Sequence, residues 1–402
     1  MARNNTYNIL MYSHDTYGLG HIRRTMAIAQ HLRGPNINIL ILTGSPIAGR
    51  FRFPDKVDFV RIPGMIKKTN EEYRPLSIKI NPRHALDIRR NIITATAKTF
   101  KPNFFIVDKE PFGLKKEVLP TLKWLKRSSP YTHTILGLRD VMDEAEVVRK
   151  DWTEKGVYAI LKELYDEIWV YGNQELYNPV VEYDIEDAIA RKMIFTGYIP
   201  RSIPDKKSVR HMRQEMGVTD DQQLAVVTTG GGGDGYPIID TYLSMLENKC
   251  VKLSGKQLKS VLVTGPFMPQ KEREKLFKRA RMLGIKAFHF FKQMEKLQAA
   301  ADIVVCMGGY NTICEILSQR TPCLVVPRET PRKEQLIRAK ALYKRHLVEY
   351  LPWDELGPET MGQKVTSILN DPVPFRDAIT GFPLTGIKSM CRRIQQIMSV
   401  NT

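Results

Sequence analysis

The stretch Asp302-Ile303-Val304-Val305-Cys306-Met307-Gly308-Gly309-Tyr310-Asn311-Thr312-Ile313-Cys314-Glu315 places a β-branched run, a Gly-Gly turn and the start of an apolar helix in direct succession. Free N–H groups and the helix dipole at such a start attract an anion, and glycine lets it approach closely. A phosphate-bearing ligand suits this arrangement. Thr312 stands in the first turn, and Glu315, one turn in, is a carboxylate able to accept hydrogen bonds from a ribose diol. A carboxylate near a helix start is also favoured by the dipole alone, by ~0.3–1 kcal/mol; the neighbouring glycines tip the reading towards ribose. A second glycine run, Gly230-Gly231-Gly232-Gly233 with Gly235 beyond, follows the apolar stretch Leu224–Thr228 and reads as a diphosphate cradle. It is neither a Walker A loop nor the dinucleotide Gly-x-Gly-x-x-Gly, and either run alone would read equally as a tight turn.

In the N-terminal half, His21 follows Gly18-Leu19-Gly20 just beyond an apolar strand. A near-neutral imidazole there can take a proton from a sugar hydroxyl or from water, or it can simply cap a helix. Asp15, Asp108, Glu110 and Asp140 are carboxylates expected on the same face, and any of them could be the base or its orienting partner. Singly, each reads as readily as a turn or cap residue.

These residues need a frame that sets strand ends side by side. Strands are expected at Tyr7–Tyr12, Asn38–Leu42, Phe59–Ile62, Asn103–Val107, Thr134–Leu138 and Glu167–Val170, with helices from Ile22 to about Leu32, from Pro82 to Phe100, at Glu117–Lys126 and around Lys150–Leu164. Such alternation predicts a parallel, doubly wound α/β sheet with its ligands beyond the carboxyl ends of the strands. Ile194 to Arg201, with Pro204 beyond, reads as a linker. A second α/β series follows, with strands at Leu224–Thr228, Ser260–Thr264, Ala287–Phe291, Ile303–Val305 and Cys323–Val326, helices at about Gln270–Leu283 and at Gln335–Lys344, and an amphipathic tail from Gly386 to Met398. The expected domains are 1–196, 197–380 and a terminal helix over 381–402.

Composition agrees with two α/β domains: 402 residues, 43% of them hydrophobic, are too many for one ordinary core. The formal net charge of +18 favours anionic partners such as phosphorylated ligands, an acidic membrane surface or nucleic acid. Nucleic acid would call for aromatic-basic interleaving or a known binding module, and neither is evident. Lys67, Lys68, Arg83, Arg89 and Arg90, interspersed with Met65, Ile66 and Ile78, read as a basic face, either solvated or docking a membrane or acidic acceptor. Five cysteines without a Cys-x-x-Cys, and no His cluster at ligand spacing, point to reduced thiols in a cytosol and to no metal. No apolar run approaches the ~18 residues of a membrane span, and no leader precedes the first strand, so any membrane contact is expected to be peripheral, on the inner face of the plasma membrane.

Taken together, these motifs resemble the GT-B glycosyltransferases of the family 28 type, two Rossmann-like domains facing across a cleft. That group contains the bacterial N-acetylglucosaminyltransferase that completes the lipid-linked peptidoglycan precursor. The resemblance is strongest from about Ile194 to Val348 and weaker around Gly18–Ala29, and its most specific part is Gly308-Gly309-x-x-Thr312-x-x-Glu315 with Pro327 and Glu334-Gln335. It implies that Glu315 holds the ribose of a nucleotide-sugar, that Glu334 and Gln335 face the sugar hydroxyls, and that Gly231, Gly232 and Gly233 pack against the diphosphate. Arg201 would approach that diphosphate, Phe290 and Phe291 would border a uracil, His21 would sit near the acceptor, and the terminal helix would pack back on the first domain. Of the carboxylates expected on the face of His21, Asp108 and Asp140 are the ones expected to act with it in catalysis. The chain departs from the family at Gly233, Glu334 and Met307. The implied reaction is inverting transfer from a UDP-sugar to an unidentified acceptor (a glycan, a lipid-linked sugar or a small molecule), with no metal and no cofactor. Two alternatives stay open. The run Gly18–Arg24 also resembles the hydrolase of nonulosonic acid biosynthesis, in which the histidine activates water, and a basic nucleic-acid-binding protein would explain the charge alone.

Overall fold

A computed structural model describes residues 6–15, 20–50, 53–67 and 73–400. Gly18, Leu19 and Lys68 lie outside the described residues. The chain divides into two compact units, residues 1–199 with 385–402, and residues 200–384.

Unit 1 is built on β1 (Tyr7–Ser13), β2 (Ile37–Thr43), β3 (Val57–Arg61), β4 (Met65–Lys67), β5 (Tyr73–Pro75), β6 (Phe104–Asp108), β7 (His133–Arg139), β8 (Glu167–Tyr171) and β9 (Met193–Phe195). Seven of these form one parallel sheet in the order β3-β2-β1-β6-β7-β8-β9, while β4 and β5 make a separate antiparallel hairpin. Helices on both faces bury such a sheet, so its central strands are continuous apolar runs rather than alternating ones. Phe104-Phe105-Ile106-Val107 is wholly buried, as is Ile9-Leu10-Met11-Tyr12. The helix Gly386–Val400 also belongs to this unit, packing on the helix Gly20–Leu32. Arg393 Nε donates to Glu167 Oε1 at 2.7 Å and Tyr7 Oη donates to the Met398 carbonyl at 3.3 Å, which fix its course.

Unit 2 contains β10 (Gln222–Thr228), β11 (Gln257–Val263), β12 (Lys286–Phe288), β13 (Ile303–Cys306), β14 (Cys323–Val325) and β15 (Glu349–Tyr350), all parallel in the order β12-β11-β10-β13-β14-β15. Read along each unit, the first six sheet strands follow the order 3-2-1-4-5-6, the doubly wound topology. The chain winds outward in both directions from the pair β1–β6 in unit 1 and from β10–β13 in unit 2. The connections leaving those two strands go to opposite sides, which opens a crevice at their carboxyl ends.

Three of the expected elements differ in the structure. Ile194 and Phe195 are not linker but part of β9, where Ile168, Trp169 and Val170 pair with Met193, Ile194 and Phe195. An edge strand of three half-buried residues leaves no periodic signal. The helix expected around Lys150–Leu164 is two, Ala145–Lys155 and Val157–Leu164, separated by Gly156 at φ 70°, a left-handed cap that ends the first. Phe290 and Phe291 lie in the loop after β12, which stops at Phe288. Phe291 packs edge-on against Phe288 with ring centroids 5.0 Å apart, while Phe290 is exposed.

Candidate catalytic and nucleotide sites

In unit 1 the two strands at the switch point end in the residues able to move a proton. Asp108 closes β6, and His21 begins the helix that follows β1. His21 Nδ1 lies 2.6 Å from Asp108 Oδ2. Arg24, one turn along the same helix, donates from Nε to Oδ1 at 2.9 Å and from Nη2 to both carboxylate oxygens at 2.8 and 2.7 Å. Arg24 is buried, its guanidinium 5.8 Å from the Tyr171 ring centroid. Burial alone would raise the Asp108 carboxyl, but the Arg24 charge and the bonds from His21 and Arg24 hold it well below the usual carboxylate range. An ionised Asp108 only accepts, so His21 Nδ1 must carry its proton towards it and Nε2 is left as the acceptor. Burial lowers the imidazole to about 4 against the raising effect of Asp108, with Arg24 and Lys109 adding to the fall. His21 is therefore neutral at pH 7, the form a general base requires.

The remaining carboxylates have other duties. Asp15 caps the helix Gly20–Leu32, accepting from the Ile22 N–H at 3.1 Å and from Thr43 Oγ1. Burial raises it to about 7 against those hydrogen bonds. Asp140 accepts from Tyr198 Oη at 2.7 Å and is not part of the His21–Asp108 pair. Glu110 pairs with Lys109 at 3.1 Å. Sequence reasoning missed His14, which is buried with its ring 5.6 Å edge-on from His21 and its Nδ1 3.5 Å from Tyr12 Oη. Arg89 does not belong to the basic face expected there. It is fully buried, donating to Glu117 Oε2 at 2.6 Å and to the Pro63 carbonyl at 2.6 Å, while Tyr12 Oη donates to the same glutamate at 2.6 Å. The exposed part of that face consists of Leu76, Ile78, Ile80 and Ile88 with Lys79 and Arg83.

Unit 2 presents backbone at its switch point. The glycine run leaves β10 and the Gly308-Gly309 turn leaves β13, and a Cβ on Gly230 would stand 3.7 Å from Thr312 Oγ1, so the two turns meet. Gly232 (φ 88°) could carry no Cβ, which would fall 2.1 Å from the Thr264 carbonyl; Gly308 (φ 74°) would clash with Val325 Cγ1 at 2.6 Å. Among the described residues the N–H groups of Gly231, Gly233 and Gly309 take no protein acceptor. Gly309 and Gly235 begin the helices Tyr310–Gln319 and Tyr236–Glu247, whose first N–H groups and dipoles add to the same positive end. Arg338, buried behind the turn, donates to the Gly308 carbonyl at 3.2 Å and stacks 5.7 Å over the Tyr310 ring. Glu315 is buried one turn in, accepting from Gln298 Nε2 at 3.3 Å.

Arg201 is anchored to this unit: its backbone N–H donates to Ser318 Oγ at 2.8 Å and its Nη2 to Asn311 Oδ1 at 2.9 Å, with Nη1 buried and unmatched. Gln335 Oε1 accepts from the Arg328 N–H at 3.0 Å and Glu334 Oε1 from Arg328 Nη2 at 2.9 Å. The structure thus gathers the glycines, Thr312 and Arg201 about the start of one helix. Glu334 and Gln335 begin the helix after β14, and the two phenylalanines follow β12. Sequence reasoning missed Arg328, one of several basic residues in a polar loop, and Arg338, inside the basic helix Glu334–Tyr343.

Residues 226–379, nearly all of unit 2 beyond its first helix, match the glycosyltransferase family 28 C-terminal domain. The chain is 23% identical over 201 residues to the UDP-N-acetylglucosamine–N-acetylmuramyl-(pentapeptide) pyrophosphoryl-undecaprenol N-acetylglucosamine transferase of Caldanaerobacter subterraneus, an alignment covering 48% of this chain and 54% of that protein. The chain spans about half the length of the curated relatives it matches. Among solved structures it resembles Acinetobacter baumannii MurG (TM-score 0.63, 13% identity, 97% of this chain and 99% of that one). It also resembles a UGT transferase from Siraitia grosvenorii in complex with UDP (TM-score 0.64, 12% identity, 98% and 100%). By fold the chain is similar to the GT-B glycosyltransferases, and residues 226–379 within unit 2 are similar to the C-terminal domain of glycosyltransferase family 28.

Proposed function

We propose that the chain moves a sugar from a nucleotide-sugar, with UDP as its nucleotide, to an acceptor hydroxyl with inversion at the anomeric carbon. The observation that carries this reading is the meeting of two glycine turns and two helix starts at one switch point, with Gly230 beside Thr312. Unmatched backbone N–H groups and two dipoles suit a diphosphate and meet the charge that develops on it as it leaves, so the reading needs no metal and no cofactor. Glu315 takes the ribose hydroxyls, Glu334 and Gln335 the sugar, Phe290 and Phe291 the uracil, and Arg201 the diphosphate. His21 takes the acceptor proton on Nε2 while Asp108 holds Nδ1–H and stabilises the imidazolium that forms. Asp140 acts on neither and keeps Tyr198 in place.

The acceptor class follows from the face of Leu76, Ile78, Ile80 and Ile88 set among Lys79 and Arg83. It suits an acidic, lipid-bearing acceptor at the cytoplasmic side of a membrane, in line with the activity named for the Caldanaerobacter relative. Among the described residues no helix is long and apolar enough to cross a membrane. Salt-sensitive flotation with anionic vesicles is expected, and its absence would remove the membrane from this reading. The activity itself is tested by incubating the protein with a panel of UDP-sugars and following UDP release. Release that depends on an added hydroxyl acceptor is the expected result. Equal release without any acceptor would make water the acceptor and the chain a hydrolase, and no release from any sugar nucleotide would overturn both.

A further inference from the structure

The loop after β14 carries a charged cluster that a diphosphate cradle does not require. Arg328 Nη1 donates to Asp234 Oδ2 at 2.9 Å, at the end of the glycine run, and Nη2 to Glu334 Oε1 at 2.9 Å, so one guanidinium ties the phosphate loop to the helix Glu334–Tyr343. Two atoms of this cluster are out of solvent and unmatched. Arg328 Nε is a hydrogen-bond donor without an acceptor, and Glu334 Oε2 is an acceptor without a donor on a side chain only 7% exposed. Each such atom costs on the order of 1–3 kcal/mol unless something outside the protein matches it. A pair of neighbouring hydroxyls matches both, one accepting from Nε–H and the other donating to Oε2. A carboxylate or phosphate would satisfy Nε but would meet the Glu334 charge.

We propose that Arg328 is a donor-specificity residue, forming with Glu334 a subsite for two adjacent hydroxyls of a neutral hexose on the nucleotide-sugar. The inference rests on the donor-site reading of unit 2. Glu334 and Gln335 alone leave the sugar one unmatched acceptor; Arg328 turns this into a donor and acceptor pair, which a hydroxyl pair fits and a lone nucleotide leaves empty.

Calorimetric titration of the whole chain with UDP, UDP-glucose, UDP-galactose and UDP-N-acetylglucosamine separates the sugar from the nucleotide. At least one of the three sugars is expected to bind about tenfold more tightly than UDP, the worth of one or two buried hydrogen bonds. Arg328→Met and Arg328→Lys are both expected to abolish that surplus and to leave UDP affinity within about twofold, since lysine keeps the cation but lacks Nε–H. A surplus retained in Arg328→Lys would make the arginine only a tie between loops. UDP and UDP-sugar weakened in equal ratio, or no surplus in the native protein, would also overturn the inference. Absence of UDP binding by the native protein would instead overturn the donor-site reading beneath it.

Discussion

Units 1 and 2 share a strand order, yet their switch points carry opposite kinds of group. At β1–β6 the chain sets side chains that ionise: His21, Asp108, Arg24, His14 and Asp15, in a buried cluster whose members shift one another. At β10–β13 it sets glycines, whose contribution is the absence of a side chain and the exposure of N–H groups. On the proposed reading the same topology serves proton chemistry in one unit and anion binding in the other. What decides between them is the residue type in the first turn after each strand, not the fold.

The widest separation of the two roles comes from His21→Ala. Turnover should fall by about 10²–10⁴-fold, the usual contribution of a positioned general base, while UDP affinity stays unchanged. A comparable fall in both would mean that the division between units is wrong. Removing Arg24 by Arg24→Met leaves Asp108 buried beside His21 without its guanidinium. We expect a stability loss of about 3–5 kcal/mol, read by urea unfolding, and a rise in the pH at which His21 protonates, because the charge that disfavours imidazolium is gone. In unit 2, Gly232→Ala forces a Cβ against the Thr264 carbonyl at a left-handed φ, and should weaken UDP binding by about tenfold or more without touching His21 protonation.

The smallest effect is a pH slope. His21 and His14 are lowered to about 4 and about 3, so between pH 6.5 and about 4 the unfolded chain binds two protons that the folded one does not. Asp15, raised to about 7, holds one proton in the folded state that the unfolded chain has released. The net difference of about one proton makes stability fall as pH falls through this window, by about 1.4 kcal/mol per pH unit. Trp124, Trp152 and Trp169 lie in unit 1 and only Trp353 in unit 2, so tryptophan fluorescence during urea unfolding at pH 7 and pH 5 follows the unit concerned.

The two sites were unequally legible in the sequence, for the same reason that they differ. A glycine turn is local: Gly230–Gly233 and Gly308-Gly309 announce themselves within a few residues of their strands, and the GT-B resemblance could be placed on them. A side-chain cluster is assembled from distant segments. His21 and Asp108 are 87 positions apart, and nothing in the sequence ranks Asp108 above Asp140; the sheet order does, by putting β6 beside β1. Arg89 looked like surface because it adjoins Arg90 on a basic helix, and only its ion pair with Glu117 explains its burial. Arg328 was silent because it shares a polar loop with Arg332 and Lys333, and no spacing sets it apart from them. The long strands are visible as apolar runs; the short β4, β5, β9 and β15 are not, and Ile194 and Phe195 of β9 read as linker because three half-buried residues carry no period.

The most direct test of the division is UDP binding, measured by thermal stabilisation, in the native protein, His21→Ala and Glu315→Ala side by side. The same UDP-induced rise in melting temperature is expected for the native protein and His21→Ala, and its loss in Glu315→Ala. A rise that survives in Glu315→Ala, or that disappears in His21→Ala, would contradict the assignment of nucleotide binding to unit 2 and proton transfer to unit 1.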